Sequence, residues 1–261
     1  MRVIDLNCDM GESFGNYKLG LDEEVIKYVS TANIACGYHA GDPIVMDKTV
    51  QLAKKYNVAI GAHPGFPDLM GFGRRDMQVN RTEIIDYFIY QVGALMTFAK
   101  VHKTALQHVK AHGKFGIMAW YDKEMAKASA EAVAMIDPSL IYVVVGGSQA
   151  DMTAKAGEEV GLRVAREGTA DRAYLPDGSL VARSKPGAVI VDVNEIEERV
   201  IRMAKEKKVV AIDGTVIDLQ VDTICVHGDN PSALSIVKKI VEGLKKENVQ
   251  IKPMRDFLSA K

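Results

Sequence analysis

One pattern recurs along this chain and limits what it can fold into. A short apolar run ends, and a histidine or an aspartate stands where glycine, proline and asparagine open a loop. Residues 31–36 run through Gly37-Tyr38 to His39, and Gly41-Asp42-Pro43 follow. Residues 58–62 lead into His63-Pro64-Gly65, and residues 108–111 into His112-Gly113. Residues 223–226 lead into His227-Gly228-Asp229-Asn230-Pro231. The first run, residues 3–8, ends in Asp9-Met10-Gly11-Glu12. Four of the six histidines therefore fall where a strand hands over to a loop. Each unit reads as a buried strand, a loop that carries a polar side chain into a cleft, and a helix. Asp42 is the natural cap of one such helix, with Pro43 at its first position.

Between these runs the apolar residues change to helical spacing. Asn80 and Glu83 form a capping box ahead of Ile84, Ile85, Phe88, Ile89, Val92, Leu95, Met96 and Ala99, which predict one buried face. Further helices are expected from Asp22 to about residue 28 and over residues 43–56, 117–135, 148–159, 194–207 and 231–246. Strands alternating with helices predict βα units and a parallel sheet. Seven strands are expected, near residues 3–8, 31–36, 58–62, 108–111, 140–145, 162–166 and 223–226. That number points to an α/β fold, a (β/α) barrel of about seven parallel strands. The alternative, an open doubly wound sheet, would bring together only the strand ends at its switch point. Closure would gather Asp9, His39, His63, His112 and His227 at one mouth, the carboxyl end where barrel chemistry resides. Small β-hairpins are expected near 172–184, around Asp177-Gly178, and near 209–219, around Asp213-Gly214. With no Pro- or Ser-rich linker, residues 1–261 are expected to form a single domain.

Composition removes several classes of partner. Lys and Arg total 33 and Asp and Glu 34, a formal net charge of −1, which provides no footprint for nucleic acid or a membrane surface. No uninterrupted run reaches the ~18 apolar residues of a membrane helix, and the N-terminus lacks a signal-peptide core. Cys8, Cys36 and Cys225 are odd in number, far apart and without a C-x-x-C pair. They are expected to be buried, reduced thiols of a cytoplasmic protein.

The clustered residues support two chemistries. Neutral imidazoles of His39, His63 and His112 with the Asp9 carboxylate can hold a divalent metal and leave a position for water. The same groups, with His227, can instead perform metal-free acid–base and oxyanion work. No H-E-x-x-H pair decides between them. Asp5, Asn7 and Asp9 share one face of the first strand at period two, so Asn7 lies beside Asp9 and Glu12 follows it. Arg74 and Arg75, after Gly71-Phe72-Gly73, can offer guanidinium forks to a carboxylate or phosphate. Asp171-Arg172 is either an ion pair or a substrate clamp. No Walker A pattern and no G-x-S-x-G are present.

Several stretches together resemble the LamB/YcsF family. They are residues 5–12, residues 33–43, Gly61 to Asp68 with Gly71 to Arg75, Ala170-Asp171-Arg172-Ala173-Tyr174, and Val226-His227-Gly228-Asp229. Around the fourth strand Ala111 precedes His112, and Lys114-Phe115-Gly116-Ile117 follow Gly113, where the family usually has Pro and an Ala-Leu-Tyr-Asn run. The resemblance implies a barrel of the glycoside hydrolase/deacetylase type. It implies ATP-dependent cleavage of 5-oxoproline to L-glutamate by the A subunit of a 5-oxoprolinase, with B and C subunits as partners. On that reading Asp9, His39, His63, His112 and His227 are the catalytic candidates. Asn7, Glu12, Arg74, Arg75, Asp171, Arg172 and Asp229 are the candidates for binding substrate or phosphate. ATP is the implied cosubstrate, and a divalent metal is a second candidate cofactor. A stand-alone metal-dependent deacetylase or amidohydrolase, and a non-catalytic substrate-binding subunit, are the alternatives.

Overall fold

The computed structural model describes residues 2–227 and 232–259. Its centre is a closed barrel of seven parallel strands: β1 (Arg2–Met10), β2 (Thr31–Ala35), β3 (Ala59–His63), β4 (Leu106–Lys110), β5 (Ile141–Val145), β6 (Arg163–Thr169) and, later in the chain, β9 (Thr223–Val226). Each strand pairs with the next, and β9 closes the ring by pairing with both β6 and β1. β1 is long because three neighbours share it. Residues 2–4 pair with β10 (Val249–Ile251), 5–8 with β9 and 7–10 with β2. The sequence pattern did not predict β10, a three-residue strand placed outside the ring just after a helix.

The strands are buried on both faces, which is why they read as continuous apolar runs. The two faces differ in chemistry. Ile4, Leu6, Cys8 and Met10 of β1 belong to the apolar core outside the ring. The alternate residues, Asp5, Asn7 and Asp9, point into a polar lumen. At its floor Asp5 accepts hydrogen bonds from Ser30 (2.7 Å), Thr31 (2.5 Å) and Thr223. His108 lies in the same lumen, bonded to Asn33 Oδ1 at 2.7 Å. Gly61 makes room for it, since a Cβ at Gly61 would come within 1.9 Å of the ring.

The helices form the outer layer. α1 (Asp22–Val25) is shorter than expected, and Asp22 does not cap it; its carboxylate accepts from Gly11 N at 2.8 Å instead. α2 (Pro43–Lys55) starts as expected, with Asp42 accepting from Ile44 N (2.8 Å) and Val45 N (2.9 Å). α3 (Arg81–Val101) carries the Asn80–Glu83 capping box. By length and composition α3 is apolar enough to cross a membrane (21 residues, mean hydropathy 1.2). Here Ile84, Phe88, Gln91, Val92, Leu95 and Ala99 are its buried face, whereas Ile89 is 41% exposed. The single helix expected over 117–135 is two, α4 (Gly113–Met118) and α5 (Lys123–Ile136). Asp122 divides them by capping Glu124 N (2.9 Å) and Met125 N (3.2 Å). α6 (Asp151–Glu159), α7 (Val193–Glu206) and α8 (Ala233–Lys246) complete the layer.

The antiparallel hairpin of β7 (Lys208–Val210) and β8 (Val216–Asp218) forms as predicted. The segment near 172–184 has antiparallel bridges from Tyr174 to Leu180 and from Arg172 to Val189 in place of longer strands, with Leu175 N donating to Ser179 O (2.7 Å) and Val181 N to Ala173 O (2.9 Å).

Candidate active site

At the carboxyl end of β1 the Asp9 side chain reaches the barrel mouth, and its two oxygens have different surroundings. Oδ1 accepts from Asn33 Nδ2 (2.8 Å) and Lys110 Nζ (2.8 Å). Oδ2 faces His63 Nε2 at 3.4 Å. Burial works against the Asp9 charge, but the facing His63 and Lys110 outweigh it and hold the carboxyl well below the usual range. Lys110 also donates to Glu167 Oε2 (2.9 Å) and reaches Cys225 Sγ (3.4 Å). Burial opposes the Lys110 charge as well, and Asp9 with its other acidic neighbours reverses this, so the ammonium is held above its usual range. Sequence reasoning missed Lys110, Glu167 and His108. A signal existed for two of them: 108, 110 and 112 are alternate positions, so His112 at the mouth implies His108 and Lys110 beneath it on the same face.

The three histidines opposite Asp9 are oriented by their acceptors. His63 Nδ1 donates to the Lys110 carbonyl at 2.7 Å, which leaves Nε2 facing the mouth. His112 Nε2 donates to the Phe72 carbonyl at 2.9 Å, which leaves Nδ1. The two remaining nitrogens face each other at 3.0 Å. In neutral rings with these tautomers both carry lone pairs, so a shared proton or a cation must lie between them. His39 stacks on His112, with ring centroids 3.6 Å apart and planes within 3°. Its Nε2 is 3.4 Å from Glu12 Oε1, which is itself 3.9 Å from His112 Nδ1. His39 Nδ1 is buried with no hydrogen-bond partner among the described residues. Burial, reinforced by the neighbouring imidazoles, keeps His39 and His112 well below the usual histidine range, hence neutral. His108 is driven to about 3 by burial and the Lys110 charge.

The loop between β3 and α3 roofs this group. Phe72 and Gly73 both have left-handed backbone (φ 54° and 62°), which carries the Phe72 carbonyl over His112. A Cβ on Gly73 would lie 2.8 Å from His39 Cβ and 2.9 Å from His112 Cδ2. On the other wall, His227 Nδ1 donates to Asp171 Oδ1 at 2.7 Å. Burial would lower His227, but the Asp171 carboxylate raises it on balance, and His227 in turn holds Asp171 down. Ligand-type atoms of Asp9, Cys225 and His227 lie within 4.8 Å of one another, so this wall adjoins Asp9.

The barrel thus brings Asp9, Glu12, His39, His63, His112, Asp171 and His227 to one mouth, but not every predicted residue. Asn7 lies below it, donating to Glu167 (3.0 Å) and Thr223 (2.6 Å) and accepting from Asn33 (2.6 Å), with nothing left for a substrate. Arg75 is turned outward, its side chain 64% exposed and paired with Asp68. Arg172 neither pairs with Asp171 nor enters the mouth; its guanidinium donates to the carbonyls of Val181 (2.6 Å) and Ala188 (3.3 Å) and braces that segment. Arg74 lies over the Phe72 ring at 4.8 Å, close enough to depress His39. Asp229 lies outside the described residues. The α2 N-terminus is closed by Asp42, whose side chain accepts from Ile44 N and Val45 N.

These donors fit a divalent ion. Glu12, His39, His63 and His112 each offer one ligand atom, all within 4.8 Å of one another. Two nitrogens at about 2.0–2.1 Å from a tetrahedral ion are roughly 3.3 Å apart, near the His63–His112 separation. Backbone carbonyls fix both rings from behind, as second partners of metal-bound imidazoles do. The carboxylate grouped with the three histidines is Glu12, where Asp9 was expected; Asp9 Oδ1 is held by Lys110 and Asn33, and its ligand-type atoms group with Cys225 and His227.

Fold and site together define a parallel (β/α) barrel with a buried carboxylate–imidazole centre at the carboxyl ends of its strands. Residues 4–259 match the LamB/YcsF family model, and the chain belongs to that family. It is 55% identical over 255 residues to the A subunit of 5-oxoprolinase from Pyrococcus abyssi, covering 98% of this chain and 99% of the relative. The corresponding 5-oxoprolinase chain of Campylobacter jejuni is 53% identical over 258 residues, covering 99% and 100%. A lactam utilization protein from Thermus thermophilus superposes with a TM-score of 0.90 at 42% identity, covering 96% of this chain and 99% of the other. An Enterococcus faecalis structure only 11% identical shares the fold, with a TM-score of 0.60 and 99% of each chain covered.

Proposed function

We propose that this chain is the A subunit of a multi-subunit 5-oxoprolinase and opens the lactam of 5-oxoproline to L-glutamate. The observation that carries the reading is the mouth itself. An oriented Asp9–His63 pair adjoins a protonatable His227–Asp171 pair at the carboxyl end of the barrel. The names and coverage of the relatives support the choice of a lactam.

The chemistry follows from the bond to be broken. An unstrained five-membered lactam is a stable amide, so hydrolysis to glutamate needs coupling to ATP cleavage, to ADP and phosphate, within the assembly. The water oxygen must bond to the carbonyl carbon, the C–N bond must break, and the ring nitrogen must gain a proton. Asp9 Oδ2, the oxygen not held by Asn33 and Lys110, lies 3.4 Å from His63 Nε2 and is placed to take the water proton. His227, held by Asp171, is placed to donate to the departing nitrogen. The proton shared by His63 and His112 is the donor available to the developing oxyanion. In place of that proton, a divalent ion bound by Glu12, His39, His63 and His112 would polarise the carbonyl or a water. B and C subunits are the partners. Free, buried Cys8, Cys36 and Cys225 support a cytoplasmic setting.

The test is 5-oxoproline-dependent release of glutamate and ADP, measured with this chain alone and with the B and C subunits. Turnover is expected only in the assembly and only with ATP. Glutamate formed by the chain alone without ATP, and abolished by chelation, would instead establish a stand-alone metal-dependent amidohydrolase. Full activity of His63→Ala in the assembly would leave the chain as a binding subunit.

A further inference from the structure

Lys110 is a residue to which neither the family motifs nor the strand-end pattern assigns any role. Its side chain and its backbone each hold one half of the Asp9–His63 pair. The ammonium donates to Asp9 Oδ1 at 2.8 Å. The carbonyl of the same residue accepts the His63 Nδ1 proton at 2.7 Å. Together with Asn33, the ammonium occupies Oδ1 with two donors, so Oδ2 is the oxygen presented to His63 Nε2. The ammonium is anchored in turn. Glu167 Oε2 accepts from it at 2.9 Å and from Asn7 at 3.0 Å, while Cys225 lies at 3.4 Å. Every one of these groups is buried. The cluster therefore joins β1, β2, β4, β6 and β9 around one carboxylate rotamer and one imidazole orientation.

We propose that Lys110 is the positioning residue of the centre, fixing at once which oxygen of Asp9 and which nitrogen of His63 face the mouth. A lumen filled only for stability needs no buried ammonium, because apolar side chains of similar volume commonly serve at least as well. A buried cation whose protons are directed at one oxygen of the mouth carboxylate has a geometric use. The activity arm of the test rests on the 5-oxoprolinase reading; the structural arm does not.

The test removes the anchor while keeping the cluster's formal net charge, by combining Lys110→Met with Glu167→Gln. Lys110→Gln, which replaces the ammonium with a shorter, neutral amide, is the substitute if that pair of changes does not fold. In crystal structures of these variants the Asp9 carboxylate is expected to rotate, so that Oδ2 no longer faces His63. In the reconstituted assembly kcat is expected to fall about 100-fold, as a misplacement of about 1 Å can produce, with KM nearly unchanged. Added to Asp9→Asn, the same changes should cost nothing further, since they act through Asp9. An unmoved Asp9 carboxylate, an unchanged kcat, or a loss that adds fully to that of Asp9→Asn would each overturn the proposal. If the wild-type assembly does not turn over 5-oxoproline, the functional reading fails, and the Asp9 rotamer still decides the role of Lys110.

Discussion

Asp5 at the barrel floor gives a quantitative test of the polar lumen. It is fully buried, and its three partners, Ser30, Thr31 and Thr223, are neutral hydroxyls. The cation of the lumen, Lys110, is engaged one level higher by Asp9 and Glu167. Burial therefore dominates over the hydroxyl hydrogen bonds and raises the Asp5 carboxyl from 3.8 to about 6. A folded-state pKa above the unfolded value means that the folded protein keeps a proton the unfolded chain has lost. Stability from this group is complete below the unfolded pKa and is lost as pH rises through about 6. A shift of about two units corresponds to roughly 3 kcal/mol, about 2 kcal/mol of it between about pH 4.5 and about pH 7.5. Asp5→Asn cannot ionise and lacks this slope. Urea unfolding of both proteins across that range should show the variant gaining on the wild type by about 2 kcal/mol as pH rises. Parallel curves would refute the argument, and a gap changing in the opposite direction would mean that the Asp5 charge is stabilised where it lies.

Three further outcomes follow from the mouth. Gly73→Ala must adopt φ 62° and push against His39 and His112; a loss of about 1–3 kcal/mol is expected, with displaced His112 ring signals by NMR and loss of turnover. Arg75→Gln should leave turnover unchanged in the assembly, because Arg75 is paired with Asp68 at the surface; a large rise in KM would return it to the substrate site. Asp171→Asn removes the carboxylate that raises His227, so kcat should fall and the alkaline limb of the pH–rate profile should move to lower pH. An unmoved limb would mean that His227 does not carry the proton that matters.

The seven-stranded ring and its mouth were legible because strands buried on both faces read as apolar runs, and polar residues marked where each run stopped. The interior of the ring was not legible in the same way. A lysine such as Lys110 within a strand ordinarily reads as facing solvent, and only closure turns that face into a lumen that can hold it. Glu167 and His108 were hidden for the same reason. The helix break before Lys123 has no glycine or proline to announce it, only Asp122 acting as a cap. α3 is apolar around much of its circumference, so its spacing did not reveal that Ile89 faces outward. Arg75 lay in a motif rich in glycine and arginine, and nothing local indicated that Asp68 would claim it.

The pairing of β1 with β9 also has a consequence for how the chain comes to be folded. Asp5 lies opposite Thr223 in that ladder and is bonded to it across 218 positions. During synthesis at about 5–20 residues per second, β1 waits roughly 10–40 s for the strand that completes it. Until then one edge of β1, with three acidic or amide side chains meant for an enclosed lumen, has no partner. Ring closure is a long-range event of the kind that slows folding. The interval before β9 emerges is when a growing chain of this kind most needs its open edge protected.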